Sequence, residues 1–301
     1  MKHNISVTAV IISIFFLTQI FGLFLVKENI SSIEQVNGTT TINFEETSLG
    51  PRPDVSGATS FLYIVFAIII GTGLLLLIMK FGKMNLWKIW FFLAIFFSIS
   101  IALGVLIDYT LAFFFAFILA ALKMFKKNVL IHNFTEVLMY SGLAVLVVPL
   151  FDVFWIFMLL IVISIYDMYA VWKSKHMVKM AKFQTKSKLF AGLMVPYEKN
   201  KGPKISMPSK PSLKQTGKVR NAILGGGDVA FPLIFSGVVM KALILGGLTP
   251  QIAFFKVTII SVFVTLSILG LFVFAKKDKF YPAMPFVSAG CFLGYLLVLA
   301  I

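Results

Sequence analysis

Charge is scarce in this sequence. Asp, Glu, Lys and Arg together make up 13% of its 301 residues, and only 12 residues are acidic. Cysteine is nearly absent too. Cys291 stands alone, which excludes an intramolecular disulfide and any paired-thiol redox or metal site, and a lone thiol in an apolar stretch serves packing. The three histidines, His3, His132 and His176, read as lying in termini or loops, and there is no HExxH, so zinc-protease chemistry has no ligand set. No internal repeat is apparent, which weakens an inverted-repeat transporter reading. The first apolar run lacks a small-residue cleavage site before Lys27 and reads as an anchor, not a removed signal peptide.

What the chain has instead is apolar surface. Hydrophobic residues are 59% of it, and the mean hydropathy is +0.96, more than a soluble domain can hide. These values predict an all-α polytopic membrane protein. About 20 apolar residues are needed to cross the hydrocarbon layer. Nine runs qualify: Ile5–Val26, Ala58–Met79, Leu86–Ile107, Tyr109–Leu122, Val137–Leu150, Val153–Trp172, Gly225–Gly247, Pro250–Ala275 and Pro282–Ile301, the fourth and fifth being short.

The formal net charge of +15 does not point to nucleic acid, because membrane proteins gather Lys and Arg in cytoplasmic loops. Lys27–Gly57 holds Glu28, Glu34, Glu45, Glu46 and Asp54 against Lys27 and Arg52. The loops after the second, fourth, sixth and eighth runs are basic. All of them fall on one side if the amino terminus is cytoplasmic and the carboxyl terminus outside, in the cell membrane. The organisation expected is a six-helix half over 1–174, a basic cytoplasmic loop over 175–220 and a three-helix half over 221–301. Within the loop, Met177, Met180, Ala181 and Gln184 recur at helical spacing among lysines, like a basic helix on anionic lipid. The Pro-, Lys- and Ser-rich remainder reads as a disordered linker. Asn29 and Asn37 head N-x-S/T sequons on the outer loop and are glycosylation candidates.

Two acids break the apolar pattern. Asp108 and Asp152 sit in outer hairpins and Glu136 at the inner start of a span, within reach of water or headgroups. Asp167 and Asp228 lie inside spans, where a charge costs roughly 2.5–3.5 kcal/mol even on the lenient insertion scale. Asp167 precedes Lys173 by six residues and Asp228 follows Arg220 by eight, on runs of opposite direction, so both arrive at a similar depth near the inner side. Two carboxylates sharing a low-dielectric site cannot easily both ionise, and they hold one proton between them. That arrangement suits an aspartic protease: one member takes a proton from water, the other polarises the peptide carbonyl. It suits ion conduction or proton relay equally. Ser141-Gly142 and Ser236-Gly237 lack an intramembrane histidine for serine-protease chemistry and read as helix-packing contacts.

Three motifs resolve the tie. Tyr166-Asp167 in "ISIYDMYAV", Gly225-Gly226-Gly227-Asp228, and Pro282-Ala283-Met284-Pro285 resemble, in order, the YD, GxGD and PAL motifs of the presenilin and signal peptide peptidase family of intramembrane aspartyl proteases. Met284 stands where the family has leucine, a swap of similar volume. The likeness is close from the sixth run onward; before that, only span count and direction agree. It implies that Asp167 and Asp228 are the catalytic pair, needing neither metal nor cofactor. It also implies that Pro282-Ala283-Met284-Pro285 shapes the site and helps hold substrate, with Tyr166 beside the dyad and the three glycines letting a substrate backbone approach. The partners implied are transmembrane-helix substrates in the bilayer and no nucleic acid. The small chain fits microbial, archaeal homologues working without accessory subunits, and a homo-oligomer stays open. A presenilin-like channel or leak pathway using the same acids is the runner-up.

Overall fold

A computed structural model of the protein describes residues 5–36, 39–126, 128–173, 189–196, 221–275 and 281–301. Among them are nine α-helices: α1 (Ile5–Glu28), α2 (Gly57–Lys80), α3 (Met84–Gly104), α4 (Tyr109–Phe125), α5 (Val129–Val147), α6 (Val153–Trp172), α7 (Gly226–Leu245), α8 (Pro250–Phe274) and α9 (Met284–Ala300). Seven are long and apolar enough to cross a membrane, whereas α4 and α9 have 17 residues each. Two antiparallel strand pairs complete the fold. One is β1 (Ile30–Val36) with β2 (Thr39–Phe44), the other β3 (Gly192–Pro196) with β4 (Asn221–Gly225).

The helix starts follow side chains able to satisfy the first free amides. Asp108 accepts from the Thr110 amide at 2.9 Å, Asn128 from Leu130 at 2.8 Å, and Asp152 from Trp155 at 3.0 Å. The two hairpin acids are thus N-caps, and the Thr110 amide holds the Asp108 carboxyl below its ordinary range. Thr249 caps α8, with Pro250 at its first position, where a missing N–H costs nothing.

Two expectations need correction. The fifth span begins at Val129, not Val137, and ends in a short 3-10 turn over Val148–Leu150. Its first turns looked too polar for hydrocarbon, yet His132, Asn133, Thr135 and Glu136 are buried against protein, not lipid. Gly192–Pro196, assigned to the basic loop, is a strand with Leu193, Met194 and Val195 buried. The basic helix expected over Met177–Gln184 and the linker expected beyond Pro196 lie outside the described residues.

Burial ranks the helices. In α5 with its 3-10 turn and in α7, 72% and 67% of the spanning window is inside the protein, against 6% in α2, which rests on α6 and α3 at the rim. Small residues allow the close crossings. A Cβ at Gly294 would lie 2.7 Å from the Ile260 Cα, and one at Gly290 2.9 Å from the Val264 Cα, so α9 lies directly on α8. On the opposite side of the core a Cβ at Gly142 would meet the Ser98 carbonyl oxygen at 1.9 Å, which presses α5 against α3. The β1–β2 hairpin is pinned by Arg52, whose guanidinium donates to Asn29 Oδ1 at 2.6 Å and to the Val145 carbonyl near the end of α5 at 3.3 Å. Asn29 is 2% exposed and so engaged, which removes it as a glycan acceptor; Asn37 lies outside the described residues.

Gly142→Ala has no room to be absorbed, because the colliding atom is backbone. The expected outcome is destabilisation of about 1–3 kcal/mol or more, seen as a lower Tm in detergent. An unchanged Tm would mean that α3 and α5 are not in this contact.

Candidate active site

Each central acid is brought in by a different local device. Asp167 lies on the last turns of α6 and is 7% exposed. A helix C-terminus is an unfavourable place for a negative charge, so its stabilisation has to come from elsewhere. It comes from the start of α9. The Met284 amide donates to Asp167 Oδ2 at 3.1 Å, and the Ala283 amide also hydrogen-bonds to this carboxyl group. Met284 is the first residue of α9, and first-turn amides have no partner within their own helix. The prolines keep the helix from starting earlier. A turn added before Met284 would drive the Pro285 ring into the carbonyl of Tyr281.

Asp228 uses its own helix. Gly225 is the N-cap of α7, which makes Asp228 the third helical residue, and its carboxyl reaches back to hydrogen-bond the Gly225 amide. This is the reciprocal half of a capping box, made by Asp where Glu or Gln is usual. Pro232 follows one turn later and supplies no amide to the Asp228 carbonyl. The neighbouring Val229 carbonyl accepts from the Gln19 side chain of α1 at 2.9 Å.

The two carboxyl groups face the same end of the bundle, because α6 ends where α7 begins, and they lie within electrostatic reach of each other. Asp228 is half-buried. Two further contacts tie their helices together. Ser164 and Ser288 share a hydrogen bond of 2.8 Å between α6 and α9. Phe157 of α6 stacks on Phe292 of α9 with centroids 4.5 Å apart and meets Phe235 of α7 edge-on at 5.0 Å. The aromatic cluster lies seven to ten residues along each helix from the site, about 10–15 Å at about 1.5 Å per residue.

The remaining motif residues divide. Pro282 and Met284 are buried, Ala283 and Pro285 half-buried, and Tyr166 is 41% exposed on the face beside Asp167. Within this segment α9 begins at Met284, and that amide is committed to Asp167. Gly227 is exposed and leaves the approach to Asp228 open. Gly226 serves another purpose: a Cβ there would lie 2.4 Å from the Tyr140 hydroxyl.

Sequence reasoning passed over the support behind these residues. Glu136 was placed within reach of water, Lys123 in a basic loop and His132 in a loop; all three are buried. Lys123 and the Tyr140 hydroxyl both hydrogen-bond to Glu136, which also accepts the Gly192 amide at 2.8 Å. The His132 ring bonds the Gly192 carbonyl at 2.8 Å. The amide of Asn133 takes both backbone groups of Met194, at 2.8 and 2.9 Å, as a paired strand would. Thus α5 grips β3, β3 pairs with β4, and β4 runs directly into Gly226 and Asp228. The available signal was the spacing of His132, Glu136 and Tyr140 at intervals of four on one face of a helix. The strand also corrects the depth estimate, since Asn221–Gly225 is extended and not helical.

The chain is similar to known proteins in sequence family and in fold. The sequence profile of a family described as "Signal-peptide peptidase, presenilin aspartyl protease" matches residues 7–301. Two solved structures of a presenilin family intramembrane aspartate protease share the fold. One, in space group C222, has a TM-score of 0.58 at 14% identity, covering 96% of this chain and 94% of that one. The other, in space group P2, has a TM-score of 0.59 at 16% identity, with 96% of each chain covered. No curated protein matches in sequence.

Pro285→Ala removes the block on extending α9 backwards, after which the Met284 amide would pair within its own helix and leave Asp167 short of a donor. Peptide-cleavage turnover is expected to fall about tenfold at unchanged Tm, while Met284→Leu, which keeps both backbone and volume, stays near wild type. Wild-type turnover in Pro285→Ala would reduce the segment to an ordinary helix start.

Proposed function

The chain belongs to the signal-peptide peptidase and presenilin aspartyl protease family, and from that premise we propose that Asp167 and Asp228 are its catalytic pair. It is an intramembrane aspartyl protease and a multi-pass membrane protein. The observation that carries the residue assignment is the convergence of these two carboxyls from oppositely directed helices, each supplied with backbone amides at a helix start.

One proton belongs to the pair and not to either member. The ionised carboxylate removes a proton from a water, whose oxygen attacks the peptide carbonyl carbon. The protonated partner donates to the carbonyl oxygen as it becomes a diol. Collapse of the diol breaks the C–N bond: the protonated carboxyl gives its proton to the departing amine while the other carboxylate takes the proton of a diol hydroxyl. The products are a new carboxyl terminus and a new amino terminus, and the dyad recovers its shared proton. A helical substrate hides its carbonyls in its own hydrogen-bond ladder and has to unwind locally first, and backbone unwound in lipid needs new partners. Asn133 occupies the backbone of β3 at Met194, so β4, which leads to Asp228, is the strand better placed to pair with an unwound segment. Substrates on this reading are single transmembrane helices of membrane proteins or signal-peptide remnants.

Asp167→Asn and Asp228→Asn are each expected to lower cleavage of a single-span test substrate by at least about a hundredfold, because an amide can neither carry nor exchange the shared proton. Each variant removes one of two crowded carboxyls and the like-charge repulsion between them, so Tm should be equal or higher. Near wild-type cleavage by either purified variant removes the assignment.

Loop charges support an orientation with the amino terminus in the cytoplasm and the carboxyl terminus outside. Lys27, in the last turn of α1, is then expected to react with an impermeant amine reagent on intact cells, and lysines between 186 and 218 only after lysis. The reverse labelling pattern would invert the protein and the orientation of its substrates.

A further inference from the structure

Three consecutive glycines precede Asp228, and glycine loses more conformational freedom on ordering than any other residue. A backbone this soft needs bracing if the carboxyl it carries is to be held in register with Asp167. The brace is visible at Gly226, the motif's variable position. A Cβ there would lie 2.4 Å from the Tyr140 hydroxyl oxygen and 3.1 Å from the ring carbon that bears it, so the phenol of Tyr140 fills the space of the missing side chain. Tyr140 is 2% exposed, interacts electrostatically with Asp228, and donates its hydroxyl to Glu136 one turn back on α5. Glu136 is fully buried and paired with Lys123, and it also holds the Gly192 amide. In the strand register Gly192 is the partner of Gly225, whose own amide bonds Asp228. A single carboxylate therefore controls both supports of the loop, the phenol against Gly226 and the strand against Gly225.

We infer that Tyr140, clamped by the buried Lys123–Glu136 pair, is a positioning residue that fixes the Gly225–Gly227 backbone and thereby the placement of Asp228 against Asp167. The inference rests on the reading of Asp167 and Asp228 as the catalytic pair. Tyr140 reaches the reaction only through Asp228, so its loss should act on turnover and not on substrate capture. Misplacement of a reacting group by about 1 Å can cost a hundredfold in rate.

The test is cleavage of a fixed single-span substrate in proteoliposomes, with the substrate mole fraction varied to separate kcat from KM and Tm measured for every variant. Tyr140→Phe keeps the ring but loses the bond to Glu136; kcat should fall about tenfold with KM and Tm unchanged. Gly226→Ala drives a Cβ into the phenol and should lower kcat about a hundredfold. Adding Tyr140→Phe to Gly226→Ala removes the closest clashing atom and should restore about tenfold of that loss. Lys123→Met combined with Glu136→Gln removes both charges together, leaving neither unpaired, and should reproduce the Tyr140→Phe defect in kcat. Wild-type kcat in Tyr140→Phe overturns the proposal, as does a Gly226→Ala defect that Tyr140→Phe leaves untouched. A loss that follows Tm or KM instead of kcat overturns it as well. Asp167→Asn and Asp228→Asn run alongside keep the two readings apart: if they are inactive while Tyr140→Phe is wild type, the positioning role alone fails.

Discussion

Hydrocarbon offers a carboxylate no hydrogen-bond donors, so the acids inside this bundle have to be supplied by the protein itself. Four main-chain amides contribute. Met284 and Ala283 serve Asp167, Gly225 serves Asp228 and Gly192 serves Glu136. An amide is free for this duty only where the chain leaves its regular ladder, and the three places are a helix start, a helix N-cap and a strand held by side chains. Irregular backbone inside a membrane protein is tolerated only where protein or water lines it. Here the irregularities and the acids satisfy one another, and side chains of α5 complete the hydrogen bonds of the short strand pair beside α7.

The buried Lys123–Glu136 pair belongs to the same economy. Burying two charges is costly, and an isolated pair often contributes little or nothing to stability. This pair is repaid in hydrogen bonds, since Glu136 also receives Tyr140 and Gly192. Its consequence is geometric. Together with Asn133 and His132 it fixes β3 to α5, the most buried span of the protein, and so ties the segment entering α7 to the stiffest part of the core. By contrast α2, almost wholly exposed at the rim, has little to hold it beyond α3 and α6.

The helices that carry the site are joined at two levels. Near the acids, Ser164 and Ser288 link α6 to α9; farther along, Phe157, Phe235 and Phe292 pack α6, α7 and α9 together. Edge-to-face and stacked aromatic pairs add about 0.5–1.5 kcal/mol each beyond their buried area. At the end that holds the carboxyl groups, Gly227 is exposed beside Asp228.

Much of this protein was legible in its residues because the bilayer allows so few solutions. Apolar runs long enough to cross lipid had to be helices, and Asp167 and Asp228 stood out since an acid in a span needs a reason. Helix ends were readable where Asp, Asn or Thr preceded a run, as at Asp108, Asp152 and Thr249. Periodicity failed at Val129–Glu136, because a polar helix face buried against protein looks the same in sequence as a loop reaching water. It failed again at Gly192–Pro196, where five residues are too few to carry a pattern and the strand exists only because Asn133, Glu136 and β4 complete its hydrogen bonds. The sequence by itself determined which side chains could do chemistry and on which spans they ride. Only the tertiary structure decided which amide meets which carboxyl, that Gly226 makes room for Tyr140, and that Glu136 stands behind Asp228. Those contacts join residues tens to more than a hundred positions apart, and no local preference of the chain encodes them.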